Sequence, residues 1–319
     1  MSIVQGVFLK RQLIALCLIA AVGIAFADGS GNPQAEAQDL HRHLATAVLP
    51  AEHEPSRAEQ VTRALVQAYP GRVLRAEFRN GDWAVLLRGN WFYYSEGRFL
   101  PSELRGRASQ YRPIAFYNNY PRELPPWTPP TPEQVNRFRG VGATRAAQLP
   151  RATYFFDALY QASNRDQAYR QMQTISFLGR RIPVHNAIVR ELAMVESRIM
   201  AAAETDPAVR QWVQGIGRMY GWNWRNVGGT QSRSFHAYGV AVDIIPRDLG
   251  GRAMYWRWVG AGWYNIPHEG RYHPPDVVIR AFQELGFVWG GKWSFFDTMH
   301  FEFRPEVMIL NGLDLITLQ

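Results

Sequence analysis

Between Gly239 and Pro246 one carboxylate, Asp243, interrupts an otherwise apolar run, Val240-Ala241-Val242 before it and Ile244-Ile245 after it. Few chains can place an acid there, because burying an unpaired carboxylate costs several kcal/mol, about 2–7 for a polar group and more for a charge. The acid must be protonated, hydrogen-bonded or beside a cation. His236 stands seven residues earlier, an odd offset that puts the two side chains on opposite faces of a regular strand. Gly239 lies between them and can supply the irregular backbone that brings both to one side. Taken alone, such a pair reads as a core histidine with a structurally paired aspartate.

A second cluster changes that reading. Trp289-Gly-Gly-Lys-Trp-Ser-Phe-Phe-Asp-Thr-Met-His-Phe-Glu-Phe303 places Asp297 and His300 three residues apart, the same side of a helical turn. The only cysteine, Cys17, lies in the N-terminal apolar run, so a metal site further along must be built from His, Asp and Glu. Three protein ligands with one open position is the usual arrangement of catalytic zinc. Zinc lowers the pKa of bound water to about 7, and a neighbouring carboxylate can accept its proton and pass it to a leaving amine.

The pattern S-x-H-x-x-G-x-A-x-D followed by D-x-x-H-F-E resembles the zinc D-Ala-D-Ala carboxypeptidase and L-alanyl-D-glutamate endopeptidase family of cell-wall enzymes. Ser234, His236, Gly239, Ala241 and Asp243 fill the first motif; Asp297, His300 and Glu302 fill the second. The likeness runs from near His185 to Pro305. It implies that His236, Asp243 and His300 bind one zinc ion and that Asp297 is the general base. It further implies that Arg225, in Tyr220-Gly-Trp-Asn-Trp-Arg225, grips the substrate and steadies charge at the scissile carbonyl, a task suited to a guanidinium fork. Ser234 then lines the substrate cleft, and Glu302 orients a ligand residue. Members acting on D-Ala-D-Ala often carry glutamate as the base, whereas Asp297 resembles the L-alanyl-D-glutamate branch; the bond cut stays open. The implied fold is α+β, of the D,D-peptidase and hedgehog type, with a small mainly antiparallel sheet and packed helices. The implied partners are peptidoglycan stem peptides. A binding module that holds wall peptides without cutting them, or a peptidase on a non-wall peptide, is the alternative.

The rest of the chain reads as follows. Lys10 and Arg11, the apolar Leu13–Ala25 and Ala25-Phe26-Ala27 form an export signal over residues 1–27, with an uncleaved anchor as the other possibility. The apolar run falls short of the roughly 20 residues a membrane helix wants. Export points to a periplasmic or extracellular, wall-associated protein with no stable membrane insertion. The net charge of +8, +6 without Lys10 and Arg11, suits a polyanionic wall; nucleic acid is not expected outside the cell. Residues 28–120 form an N-terminal unit: Ser56-x-x-Glu59 opens a helix with Val61, Leu65, Val66 and Tyr69 in register, stopped by Pro70-Gly71. Strand-like runs 72–79, 82–88 and 91–95 follow, with turns at Asn80-Gly81 and Gly89-Asn90. Together they predict a helix pair on a β-meander, whose aromatics Trp83, Trp91, Phe92, Tyr93 and Tyr94 form a small core, with the stacking surface of a wall-binding module as the alternative. A proline-rich linker spans 121–132, and residues 133–319 carry helical patterns to about Ala203 and then the peptidase motifs over 220–305. His41, His43, His53, His185, His268 and His273 are assigned no chemistry.

Overall fold

The turns of the N-terminal part follow directly from its glycines. The computed structural model describes residues 55–114 and 120–316. The expected export signal, Cys17, His41, His43 and His53 lie outside the described residues. Within them, α1 (Arg57–Ala68) begins where Ser56 Oγ accepts the Glu59 N–H at 3.2 Å. Strands β1 (Val73–Arg79), β2 (Asp82–Leu87), β3 (Asn90–Ser95) and β4 (Arg98–Pro101) form an antiparallel meander in that order. Asn80-Gly81, Arg88-Gly89 and Glu96-Gly97 all have positive φ at both residues, as two-residue type I′ hairpins require. The second turn is therefore one residue earlier than the sequence suggests, with Asn90 opening β3, and the third adds a strand that the sequence reading lacks. Phe92 and Tyr93 are buried, and Phe92 meets Phe155 edge-on at 5.8 Å. Trp91 instead lies under the Arg79 guanidinium at 4.0 Å.

Thr131 caps α2 (Pro132–Thr144) in a full capping box with Gln134, the arrangement its Thr-Pro start encodes. Short helices α3 (Tyr154–Leu159) and α4 (Arg165–Arg170) follow. Where helix was expected, residues 172–185 form a hairpin of β5 (Met172–Phe177) and β6 (Arg180–His185). Ile182 and Val184 are buried while Arg181 is exposed, the two-residue period of a strand. Helices α5 (Val189–Thr205) and α6 (Pro207–Gly215) come next, the latter capped by Asp206 Oδ1 at 2.8 Å from the Ala208 N–H.

The remaining elements are β7 (Ile216–Tyr220), β8 (Ala241–Pro246), the one-turn α7 (Trp256–Val259), α8 (Asp276–Gln283), β9 (Phe287–Trp289), β10 (His300–Phe303) and α9 (Pro305–Leu310). The four strands make an antiparallel sheet in the order β7-β8-β10-β9. Side chains alternate across it. Phe301 faces the helices and stacks on Phe282 of α8 at 3.9 Å, whereas His300 and Glu302 take the opposite face. This is the α+β architecture expected, one sheet face on helices and the other free for chemistry. Residues Pro55–Gln319 form one compact unit. Its buried core runs from Val61 and Leu65 of α1 through Phe155 to Val242 and Phe301 of the sheet.

Candidate metal centre

Asp243 and His300 face each other across β8 and β10 as direct register partners, so their side chains must emerge together on one face. His236 reaches the same point from outside the sheet. It sits in a 3-10 turn, Phe235–Tyr238, capped at its start by Ser234, whose Oγ accepts the His236 N–H at 3.3 Å. Gly239 then turns the chain at φ 70° into β8. A Cβ there would stand 2.5 Å from Met172 Sδ and 2.9 Å from His185 N, so both the backbone angle and the space demand glycine.

Three donor atoms converge. His236 Nε2 is 3.1 Å from Asp243 Oδ1, His300 Nδ1 is 2.9 Å from the same oxygen, and the two nitrogens are 3.2 Å apart. The other ring nitrogens are committed elsewhere. His236 Nδ1 is 2.7 Å from the Gly221 carbonyl and His300 Nε2 is 3.1 Å from Glu302 Oε2, each a donor in the tautomer its neighbour dictates. Gly221 can present that carbonyl because it has no side chain: a Cβ would lie 2.1 Å from the Pro183 carbonyl oxygen. Two imidazole nitrogens and a carboxylate oxygen thus point at one another, close enough that positive charge, a proton or a metal ion, must lie among them. A tetrahedral zinc with bonds of about 2.0–2.1 Å sets neighbouring donors about 3.3 Å apart, close to the spacing here. The residues fit the ion.

The electrostatics agree. Burial pushes the Asp243 carboxyl up, but the charge and hydrogen bonds of His236 and His300 hold it well below the usual carboxylate range. Burial would lower the His300 imidazole, yet Asp243 and Glu302 raise it to about 10, the same demand for positive charge met by a proton. Behind His300 the network continues inward. Glu302 Oε1 is 3.4 Å from Arg304 Nη1, Arg304 Nε donates to Glu306 Oε1 at 2.6 Å, and Tyr69 Oη donates to Glu306 Oε2 at 2.7 Å.

Asp297 stands next to the triad. It is joined to His300 by a β-turn, the His300 N–H donating to the Asp297 carbonyl at 3.2 Å, and not by the helical turn that the three-residue spacing suggested. The turn fits because residue 290 is glycine: a Cβ there would be 2.5 Å from the Asp297 carbonyl oxygen. Its Oδ1 is buried and has no hydrogen-bond partner among the described residues. Burial raises its carboxyl to about 7, Asp243 and Glu302 adding to the rise and His300 and Arg225 opposing it.

His236, Asp243, Asp297, His300 and Glu302 line one cavity of about 650 Å³, together with Ser234, Tyr255 and Trp293. Arg225 is exposed at its edge. Five further arginines that the sequence did not single out line it: Arg112, Arg137, Arg145, Arg151 and Arg257. None belongs to a motif, and four come from residues 112–151, far in sequence from the triad. His185, by contrast, is a core residue, its Nε2 2.9 Å from the Tyr160 carbonyl and its Nδ1 accepting from the Ala187 N–H at 3.0 Å. His268 and His273 do not line the cavity.

Residues 61–116 match a family described as a domain of unknown function. No curated protein matches the chain, and no solved structure does. Residues 228–303 match the family model described as D-alanyl-D-alanine carboxypeptidase, a segment that begins before Ser234, ends after Glu302 and includes every donor of the triad. Over that segment the chain is similar to the D-alanyl-D-alanine carboxypeptidase family, and its own His236, Asp243 and His300 cluster lies within the matched residues.

Proposed function

We propose that this protein is an exported zinc peptidase that hydrolyses an amide bond in peptidoglycan stem peptides, at D-Ala-D-Ala or at L-Ala-D-Glu. The observation that carries the reading is the triangle of His236 Nε2, Asp243 Oδ1 and His300 Nδ1 with the unpartnered carboxylate of Asp297 beside it. When bound to these three ligands, zinc supplies Lewis acidity to water and to the scissile carbonyl. The protein's own groups do the rest. Asp297 accepts the proton of the attacking water at its carboxylate and returns it to the departing amine, and its burial raises its affinity for that proton. Arg225 meets negative charge on the substrate from the cavity edge. Glu302 holds the His300 ring so that Nδ1 faces the ion. Ser234 fixes the turn that carries His236 and contributes to the cavity wall. The N-terminal leader and the positive net charge support a site of action at the cell wall.

The test is mass spectrometry of purified muropeptides incubated with zinc-loaded protein, with Asp297→Ala and His236→Ala alongside. Loss of a terminal D-alanine makes it a carboxypeptidase, and a cut between L-alanine and D-glutamate makes it an endopeptidase. Asp297→Ala is expected to retain zinc and lose turnover, by about 10²-fold or more, and His236→Ala to lose both. Intact fragments with zinc bound would leave a wall-peptide binding module or a substrate outside the wall.

A further inference from the structure

One wall of the cavity carries more positive charge than the reaction above uses. Arg112, Arg145 and Arg151 line it together with Gln148, and none of the three has a carboxylate within 4 Å among the described residues. Backbone bonds link Arg112 to Arg151, and Arg151 and Arg145 are each tied to the metal-bearing part of the chain. Arg112 and Arg151 are bridge partners, with the Arg112 N–H on the Pro150 carbonyl at 2.9 Å. The Arg151 N–H donates to Ser232 Oγ at 3.1 Å, and Arg145 Nε to the Gly228 carbonyl at 3.0 Å. Arg145 also lies 5.3 Å from the Trp256 ring centre, and Arg112 is held on the Gln148 side chain. The guanidinium groups are thus positioned, not waving in solvent.

No carboxylate pairs directly with them among the described residues. Arg151 Nε is buried with no hydrogen-bond partner among the described residues. Burial lowers its pKa to about 10; Glu302 opposes that fall, while Arg112, Arg304 and Arg145 each add to it. Glu302 is already engaged by His300 and Arg304. Like charges brought together out of water destabilise a fold unless something of opposite sign completes them. A guanidinium fork is matched to a carboxylate.

We propose that Arg112, Arg145 and Arg151 form a second anion subsite that receives a substrate carboxylate distinct from the charge that Arg225 meets. Arg225 and the trio would then read a peptide bearing at least two carboxylates, one at each position. This rests on the peptidase reading for the identity of the ligand, but the trio lies outside residues 228–303, the family-matched segment. It therefore adds a specificity element that the shared motifs do not contain.

Binding, not turnover, tests it. The zinc-loaded full chain bearing Asp297→Asn is titrated calorimetrically with two probes, acetyl-L-Ala-γ-D-Glu-L-Lys-D-Ala-D-Ala with a free glutamyl α-carboxylate and the same peptide with that group amidated. The carboxylate peptide is expected to bind tighter by about tenfold or more, the scale of one hydrogen-bonded charge pair. Adding Arg145→Gln or Arg112→Gln should bring the ratio of the two affinities close to one, and Arg145→Lys should restore part of it. Because the ratio compares two ligands on one protein, a general loss of folded material cancels; Arg145→Gln serves if Arg112→Gln does not fold. Equal affinity for the two probes before the arginines are changed, or a ratio that survives both glutamine variants, overturns the subsite. Failure of the unmodified enzyme to cut either probe would instead count against the peptidase reading.

Discussion

At the scale of single residues, the triad is held by groups that do not themselves converge on the ion. Glu302 fixes the His300 tautomer from behind, at 3.1 Å from Nε2, and is 3.4 Å from the buried Arg304. Glu302→Gln can still accept from that N–H but removes a negative charge that makes the ring a better donor to a cation. Zinc affinity measured by chelator competition should fall about 10–100-fold, with Asp297 and its proton chemistry still in place; an unchanged affinity would mean that His300 is oriented by its strand alone. His236, Asp243, His300 and Asp297 were legible in the sequence because each stands in a short motif whose residue types have few other uses. Arg112, Arg145 and Arg151 were not, since an arginine in a loop looks the same whether it faces solvent or a cavity.

At the scale of elements, the site depends on turns that only glycine permits. Gly239 lets a 3-10 turn and β8 present side chains seven residues apart to one point, at φ 70° and within 2.5 Å of Met172 Sδ for any added Cβ. Gly239→Ala should destabilise the fold by about 1–3 kcal/mol from backbone strain alone and lower zinc content, read from urea midpoints and metal analysis of the purified variant. Wild-type values in both would show that the loop relaxes without moving His236. The hairpin of β5 and β6 supplies the other side of this contact, through His185 N on the Gly239 carbonyl at 2.8 Å. Its strands read as an interrupted helix from sequence, because Gly179 and Pro183 mark a break without saying what lies on either side.

At the scale of the whole molecule, the buried network from His300 through Glu302, Arg304 and Glu306 ends on Tyr69, at the end of the helix that packs beside the meander. The metal centre and the first described helix therefore share one interior. His185 lies in that interior too, and its burial lowers the imidazole pKa from 6.5 to about 4. The neutral ring is the folded form, so as pH falls below 6.5 the unfolded chain takes up a proton that the folded chain refuses. Stability should thus decline between pH 6.5 and about 4 and level off below, by up to about 3 kcal/mol from this group. Urea unfolding at pH 7 and at pH 4.5 should show a larger drop for the wild type than for His185→Gln; equal drops would assign the acid sensitivity to other groups.

Which residues could bind a metal was suggested by the sequence itself, through the resemblance of two short motifs whose local spacing survives in the chain. So was the α+β class, carried by the resemblance of two short motifs. The tertiary structure alone decided that Asp243 and His300 are partners across a sheet, that Asp297 meets His300 through a β-turn, and that arginines from residues 112–151 wall the same cavity. The physical reason is that register and burial are set by contacts between segments distant in sequence, and no local pattern of residues encodes which distant surface it will meet.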